Sequence, residues 1–180
     1  MYRGIPFWRH FLNRFHSFRP GSGLILDPTC GPASWWDEFP DARVIKCDIR
    51  NPEAADVIGD AAALPFQDAV FDEIWCDPPH LIRKATWAGK ANPRYTRYGL
   101  WNTRSLWEAF LDNVNGEFLR VLKPDGRLIM KVINGADRRV IKRDDLDRLT
   151  LWRVDNEEVW KSPIPLSTCW SHMVELLPVT

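Results

Sequence analysis

The sequence predicts a single α/β domain: a mostly parallel sheet with a terminal antiparallel hairpin and helices on both faces. Three observations carry this. Apolar runs of strand length recur between turn-rich and helix-like stretches along most of the chain. Four successive runs close on an acid: Leu24-Ile25-Leu26 at Asp27, Arg43 to Cys47 at Asp48, Val57-Ile58 just before Asp60, and Phe71 to Cys76 at Asp77. The final stretch holds two β-like segments, about 151–160 and 169–177, parted by Ser162-Pro163-Ile164-Pro165. In a parallel sheet those acids share one edge, the carboxyl edge where open α/β sheets bind ligands.

Taken in order, Phe7, Trp8, Phe11, Leu12, Phe15 and Phe18 fall at helical spacing, so residues 1–20 are expected to lay an amphipathic helix on the sheet. Arg9, Arg14 and Arg19 read as its solvated face. Pro20-Gly21-Ser22-Gly23 stops it. The first strand then runs into Pro28-Thr29-Cys30-Gly31-Pro32-Ala33-Ser34, with a helix expected from about Trp35. Strand, acid, glycine turn and helix form the layout of a nucleotide-binding first crossover. The turn has one glycine, however, and lacks both the repeated glycines of a pyrophosphate cradle and the Gly-Lys-Ser/Thr of a P-loop. It suits a nucleoside ligand without phosphates and speaks against a dinucleotide oxidoreductase. Asp48 ends the second strand about 20 residues past that turn, where a carboxylate accepts ribose hydroxyls in such folds.

The fourth strand stops at Asp77-Pro78-Pro79-His80. Two prolines lack N–H donors and have restricted φ, so the chain must leave the sheet there. The Asp77 carboxylate and the Pro78 carbonyl are left as neighbouring acceptors, which suits a planar amine with two hydrogens to give. The segment 81–104 changes character. From Leu81 to Trp107 there are six basic residues (Arg83, Lys84, Lys90, Arg94, Arg97, Arg104) and no acid. Trp87, Tyr95, Tyr98, Trp101 and Trp107 are interleaved with them. Cations for phosphates and aromatic faces for bases are the components of a single-strand nucleic-acid surface.

Ser105 is placed to cap a helix through Phe110, Leu111, Val114, Phe118 and Leu122. Lys123-Pro124-Asp125-Gly126 reads as a turn, Arg127 to Ile133 as the fifth strand, and about Arg138 to Leu149 as a charged helix. The 180 residues fit one domain, 1–180, and 45% hydrophobic with 27% charged residues excludes a largely disordered chain. Net charge is zero, so attraction to nucleic acid must come from a local patch. Cys30, Cys47, Cys76 and Cys169 show no paired Cys-x-x-Cys spacing and read as small buried residues, not as disulfides or zinc ligands. A reducing, cytoplasmic setting and no membrane association are expected.

Leu26-Asp27-Pro28-Thr29-Cys30-Gly31, Asp77-Pro78-Pro79-His80 and Leu122-Lys123-Pro124-Asp125-Gly126-Arg127-Leu128 together resemble the Rossmann-like class I S-adenosylmethionine-dependent methyltransferases. The second motif is similar to that of the amino-methyltransferases acting on exocyclic amines of nucleic-acid bases. The resemblance implies S-adenosylmethionine as cofactor, no metal, and methyl transfer to a base amine, adenine favoured, in DNA or RNA. It implies Asp27, Cys30 and Gly31 beneath the methionine part, Asp48 on the ribose, Ile49 beside adenine, and Asp60 and Ala61 at the adenine edge. Asp77, Pro78 and His80 match the catalytic motif, and Arg83, Lys84, Trp87, Arg94, Tyr95 and Arg97 are the expected substrate contacts. Two departures stand out: Pro32 and Ala33 where the family often has x-Gly, and His80 where it has Tyr, Phe or Trp. Amine methylation of a protein or small molecule, and a non-catalytic binding subunit, are the alternatives. A protein partner or homodimer stays open.

Overall fold

The computed structural model describes residues 18–32, 36–50, 53–82, 101–134, 141–161 and 170–179. Seven strands form one sheet: β1 (Leu24–Asp27), β2 (Arg43–Asp48), β3 (Val57–Ile58), β4 (Phe71–Cys76), β5 (Leu122–Asn134), β6 (Trp152–Lys161) and β7 (Trp170–Pro178). Their order across the sheet is β3-β2-β1-β4-β5-β7-β6. Neighbours are parallel from β3 to β5, and β7 pairs antiparallel with both β5 and β6. The terminal antiparallel pair is therefore present, but its last strand sits between β5 and β6, leaving β6 as the edge.

The α-helix α1 (Arg104–Val121) is capped by Thr103, whose hydroxyl accepts from Leu106 N–H at 3.3 Å, so Ser105 lies inside the first turn. Its inner stripe, Trp107, Leu111, Val114, Phe118 and Val121, is buried at helical spacing. That stripe packs with Leu26, Ile74, Cys76, Leu128, Met130 and Val132 from one face of the sheet. On the opposite face Ile25, Trp75, Ile129 and Met173 pack with Phe18, Trp36 and Trp160. Both faces are thus apolar and covered, as a parallel sheet requires. The predicted N-terminal helix lies outside the described residues except for Phe18, which is buried in this second cluster.

Three local expectations are corrected. The crossover after β1 shows a 3-10 turn, Trp36–Glu38, where a helix was expected, and Pro40 follows it closely with no N–H to continue one. The charged segment after β5 shows a 3-10 helix, Arg143–Arg148, whose start is tied by Lys142 N–H to Asp145 Oδ2 at 2.7 Å. The turn signal at 123–126 is absorbed into β5 as an irregularity, since Phe71 pairs with Leu122 and Glu73 with Arg127. Gly126 is obligatory there: a Cβ would come within 2.9 Å of the Asp72 carbonyl and closer still to Leu122.

Candidate active site at the carboxyl edge

Because β1, β2, β3 and β4 run the same way, Asp27, Asp48, Asp60 and Asp77 come to one edge, as the sequence suggests. Asp27 is buried, 1% exposed. Its Oδ2 accepts from the Trp36 indole at 2.7 Å and its Oδ1 from Thr29 N–H at 3.1 Å. The acid is spent on shaping the loop after β1. Gly31 turns that loop with φ +51°, a left-handed value that strains any side chain. Its N–H then reaches Asp48 Oδ2 at 3.0 Å, while Arg50 N–H takes Asp48 Oδ1 at 2.7 Å. Cys30 is held by its N–H on the Cys47 carbonyl at 3.1 Å. Burial, with Asp27 and Asp48 nearby, pushes its thiol up to about 12, so it serves as a neutral apolar wall. Asp60 Oδ1 accepts from Ala62 N–H at 2.9 Å, and Ala61 is buried.

Ile49, next to Asp48, is 58% exposed. An uncovered apolar side chain beside a backbone-braced carboxylate fits the residues to an adenosine: a surface for the ring and acceptor lone pairs for hydroxyls. A separate shallow cavity of about 510 Å³, lined by Trp36, Phe39, Pro40, Val44 and Lys46 among others, shares none of the predicted site residues.

The motif after β4 is built differently. Asp77 N–H donates to Thr29 Oγ1 at 3.0 Å, which couples the motif to the β1 loop. Asp77 Oδ2 pairs with Lys131 Nζ at 2.9 Å, and His80 Nε2 lies 2.9 Å from Asp77 Oδ1. That second contact is an ion-pair distance without in-line geometry, and Asp77 Oδ1 and His80 Nδ1 are both buried with no aligned hydrogen-bond partner among the described residues. Burial works against ionising Asp77, but Lys131 and then His80 outweigh it and hold the carboxyl well below the usual range. Burial likewise pushes His80 down, against the pull of Asp77, so the imidazole is neutral at neutral pH.

The backbone beyond Asp77 is equally informative. The Pro79 carbonyl accepts from the Trp101 indole at 2.7 Å, the His80 carbonyl from Ile141 N–H at 3.0 Å, and the Leu81 carbonyl from Trp101 N–H at 2.9 Å. Among the described residues no hydrogen bond reaches the Pro78 carbonyl. Of the acceptors expected from the sequence, the Asp77 carboxylate faces Lys131 and His80, and the Pro78 carbonyl accepts no hydrogen bond among the described residues.

Arg83, Lys84, Trp87, Arg94, Tyr95 and Arg97 lie outside the described residues. Three other members of the basic and aromatic stretch are structural. Trp107 is fully buried, Trp101 packs against it and Phe110 with ring centroids 5.5 and 5.0 Å away, and Arg104 pairs with Asp145 at 2.6 Å. Lys131 is the residue the sequence reading missed. It follows Met130 as Asp77 follows Cys76, and Cys76 is in register with Met130.

No family model and no curated protein matches the chain. Solved structures do. A protein from Pyrococcus horikoshii superposes with a TM-score of 0.62 at 18% identity, covering 96% of this chain and 88% of that one. A structure described as SAM-dependent methyltransferases from Methanosarcina mazei gives a TM-score of 0.58 at 14% identity, covering 92% of this chain and 97% of that one. The chain has a methyltransferase fold. The 1,6-didemethyltoxoflavin-N1-methyltransferase of Burkholderia thailandensis, crystallised with its substrate and S-adenosylhomocysteine, is similar too. It has a TM-score of 0.53 at 15% identity, covering 96% of this chain and 75% of that one. Among the described residues no helix is long and apolar enough to cross a membrane.

Proposed function

We propose that this protein is an S-adenosylmethionine-dependent methyltransferase that methylates an exocyclic amine of a nucleic-acid base, adenine favoured, in DNA or RNA. The observation that carries the reading is the pair of neighbouring acceptors at the carboxyl edge of β4: the Asp77 carboxylate, and the Pro78 carbonyl with no hydrogen bond among the described residues. They lie beside a loop fitted to an adenosine. Bound S-adenosylmethionine supplies an electrophilic methyl group on a sulfonium sulfur. Asp48 holds its ribose, Ile49 covers its adenine ring, Asp60 and Ala61 meet the ring edge, and Cys30 and Gly31 flank the methionine part. Asp27 acts through the loop by holding Trp36 and Thr29 N–H.

An exocyclic amine is a poor nucleophile because its lone pair is delocalised into the ring. Accepting both its hydrogens, one on Asp77 Oδ1 and one on Pro78 O, turns the lone pair out of conjugation and stabilises positive charge developing on nitrogen. Holding that orientation supplies much of the remaining acceleration. Arg83, Lys84, Arg94 and Arg97 serve the phosphates, with Trp87 and Tyr95 as stacking faces. Single-stranded or open substrates avoid most of the cost of base flipping.

The second reading is a small-molecule amine, favoured by the likeness to a methyltransferase whose substrate is 1,6-didemethyltoxoflavin. Incubation with methyl-labelled S-adenosylmethionine and either total RNA or denatured genomic DNA, followed by nucleoside mass spectrometry, separates the two. Label in an N-methylated base is the expected result. Its absence from both pools refutes the nucleic-acid target.

A further inference from the structure

We infer that Lys131 decides the charge of the amine this site accepts. By matching Asp77 it selects an arylamine, neutral at neutral pH, over an alkylammonium. The inference rests on the amine-methylating reading above and narrows the class of amine which that reading admits.

Cys76 is in register with Met130, so Asp77 and Lys131 emerge side by side, each one residue further along its strand. Lys131 Nζ donates to Asp77 Oδ2 at 2.9 Å. The two side chains are 16% and 29% exposed, so solvent screens the pair only in part. The other titratable group against Asp77 is His80, whose imidazole burial keeps neutral despite the pull of the acid. Asp27, at the neighbouring end of β1, is spent on Trp36 and Thr29. Asp137 is the one Asp or Glu that lies outside the described residues, and the stretch 81–107 adds six basic residues and no acid. The acceptor motif thus offers a carboxylate whose charge is already matched.

Such a site treats two kinds of amine differently. An alkylamine is an ammonium ion at neutral pH. To react it must shed its water, sit beside Lys131, and lose a proton before its nitrogen has a lone pair to give. A matched carboxylate repays little of that desolvation. It is a poor base as well: burial raises the Asp77 carboxyl, but Lys131 and His80 outweigh burial and hold it well below the usual range. An arylamine arrives neutral and needs only acceptors for its two hydrogens. Those survive the pairing, because a carboxylate has more lone-pair sites than one lysine fills. Among the described residues, no hydrogen bond reaches the Pro78 carbonyl. Without the lysine the same acid would favour the ammonium ion. Lys131 acts through Asp77, which makes it a positioning residue that sets specificity.

The test uses two small aromatic probes, aniline, neutral at pH 7, and benzylamine, an ammonium ion at that pH. Each is added as an inhibitor of methyl transfer from labelled S-adenosylmethionine to single-stranded RNA and DNA pools. Wild type, Lys131→Arg and Lys131→Met are compared, with cofactor affinity by calorimetry as the check on folding. Aniline is expected to inhibit wild type and Lys131→Arg at a concentration about tenfold below that of benzylamine. Lys131→Met should reverse the order, whereas a merely structural lysine would lower the rate and leave the order unchanged. Offered polylysine in place of nucleic acid, wild type should transfer no label to its ε-ammonium groups. Label on polylysine, benzylamine inhibiting wild type as well as aniline does, or an unreversed order in a folded Lys131→Met each overturns the inference. With base methylation intact, any of these leaves the underlying reading standing. A wild-type protein that methylates no amine in either nucleic-acid pool overturns both.

Discussion

The two halves of the carboxyl edge treat their acids in opposite ways. At the ends of β1, β2 and β3, Asp27, Asp48 and Asp60 accept from nearby backbone N–H groups and, for Asp27, from an indole. Those bonds fix the course of the loops. At the end of β4, Asp77 is held from across the sheet by Lys131, keeps one oxygen unmet, and has an unaligned histidine against it. The first half is a finished scaffold that can receive a ligand on its surface. The second is balanced across the sheet instead, by Lys131. A carboxylate that braces a loop still has lone pairs to offer a ligand, whereas one set against a cation from the next strand has its charge matched first.

Substitutions can break that contrast. The largest effect is expected at Asp77→Ala, which removes one of the two amine acceptors: methyl transfer should fall about 10²- to 10³-fold, while calorimetry finds S-adenosylmethionine affinity preserved. Turnover near wild type would return Asp77 to the structural class. Next is Lys131→Met, which leaves the half-buried carboxylate without its cation. Urea unfolding at pH 7 should show a loss of about 1–2 kcal/mol, less than for a fully buried pair because both groups keep some solvent. The sign with pH follows from a carboxyl held below its ordinary value. Its contribution is complete above the ordinary carboxylate range and fades as pH falls through the lowered one, so wild type and Lys131→Met should converge in acid. The smallest effect belongs to the scaffold half. Asp48→Ala should weaken cofactor binding by about tenfold, roughly 1.4 kcal/mol, with methyl transfer restored at saturating cofactor. Unchanged affinity would remove Asp48 from the ribose.

How much of this could be read from the sequence depends on how local the physics is. The acids at Asp27, Asp48, Asp60 and Asp77 were legible because a strand that ends on a carboxylate writes both facts in adjacent residues. The double proline after Asp77 was legible for the same reason. The insertion of β7 between β5 and β6 was not, since pairing across a sheet is set by tertiary packing and leaves no mark on the strand that moves. Lys131 stayed hidden because a lysine within an apolar strand shows its partner only once β4 and β5 are in register. Trp107 was misread as a stacking face by its neighbourhood of basic residues. Its spacing to Leu111, Val114 and Phe118 was the better guide, and it placed the ring in the core. For Trp101 no such periodicity exists. Its role came from an indole N–H that finds the Pro79 carbonyl.

That last contact has a consequence for how such a protein can change over time. The strand-like bridge of Ile82 to Trp101, with the Trp101 bonds to Pro79 and Leu81, pins Trp101 against the residues that follow Asp77. Backbone bonds of this kind ask nothing of the side chains at Pro79 and Leu81, so those two positions can vary while the anchor holds.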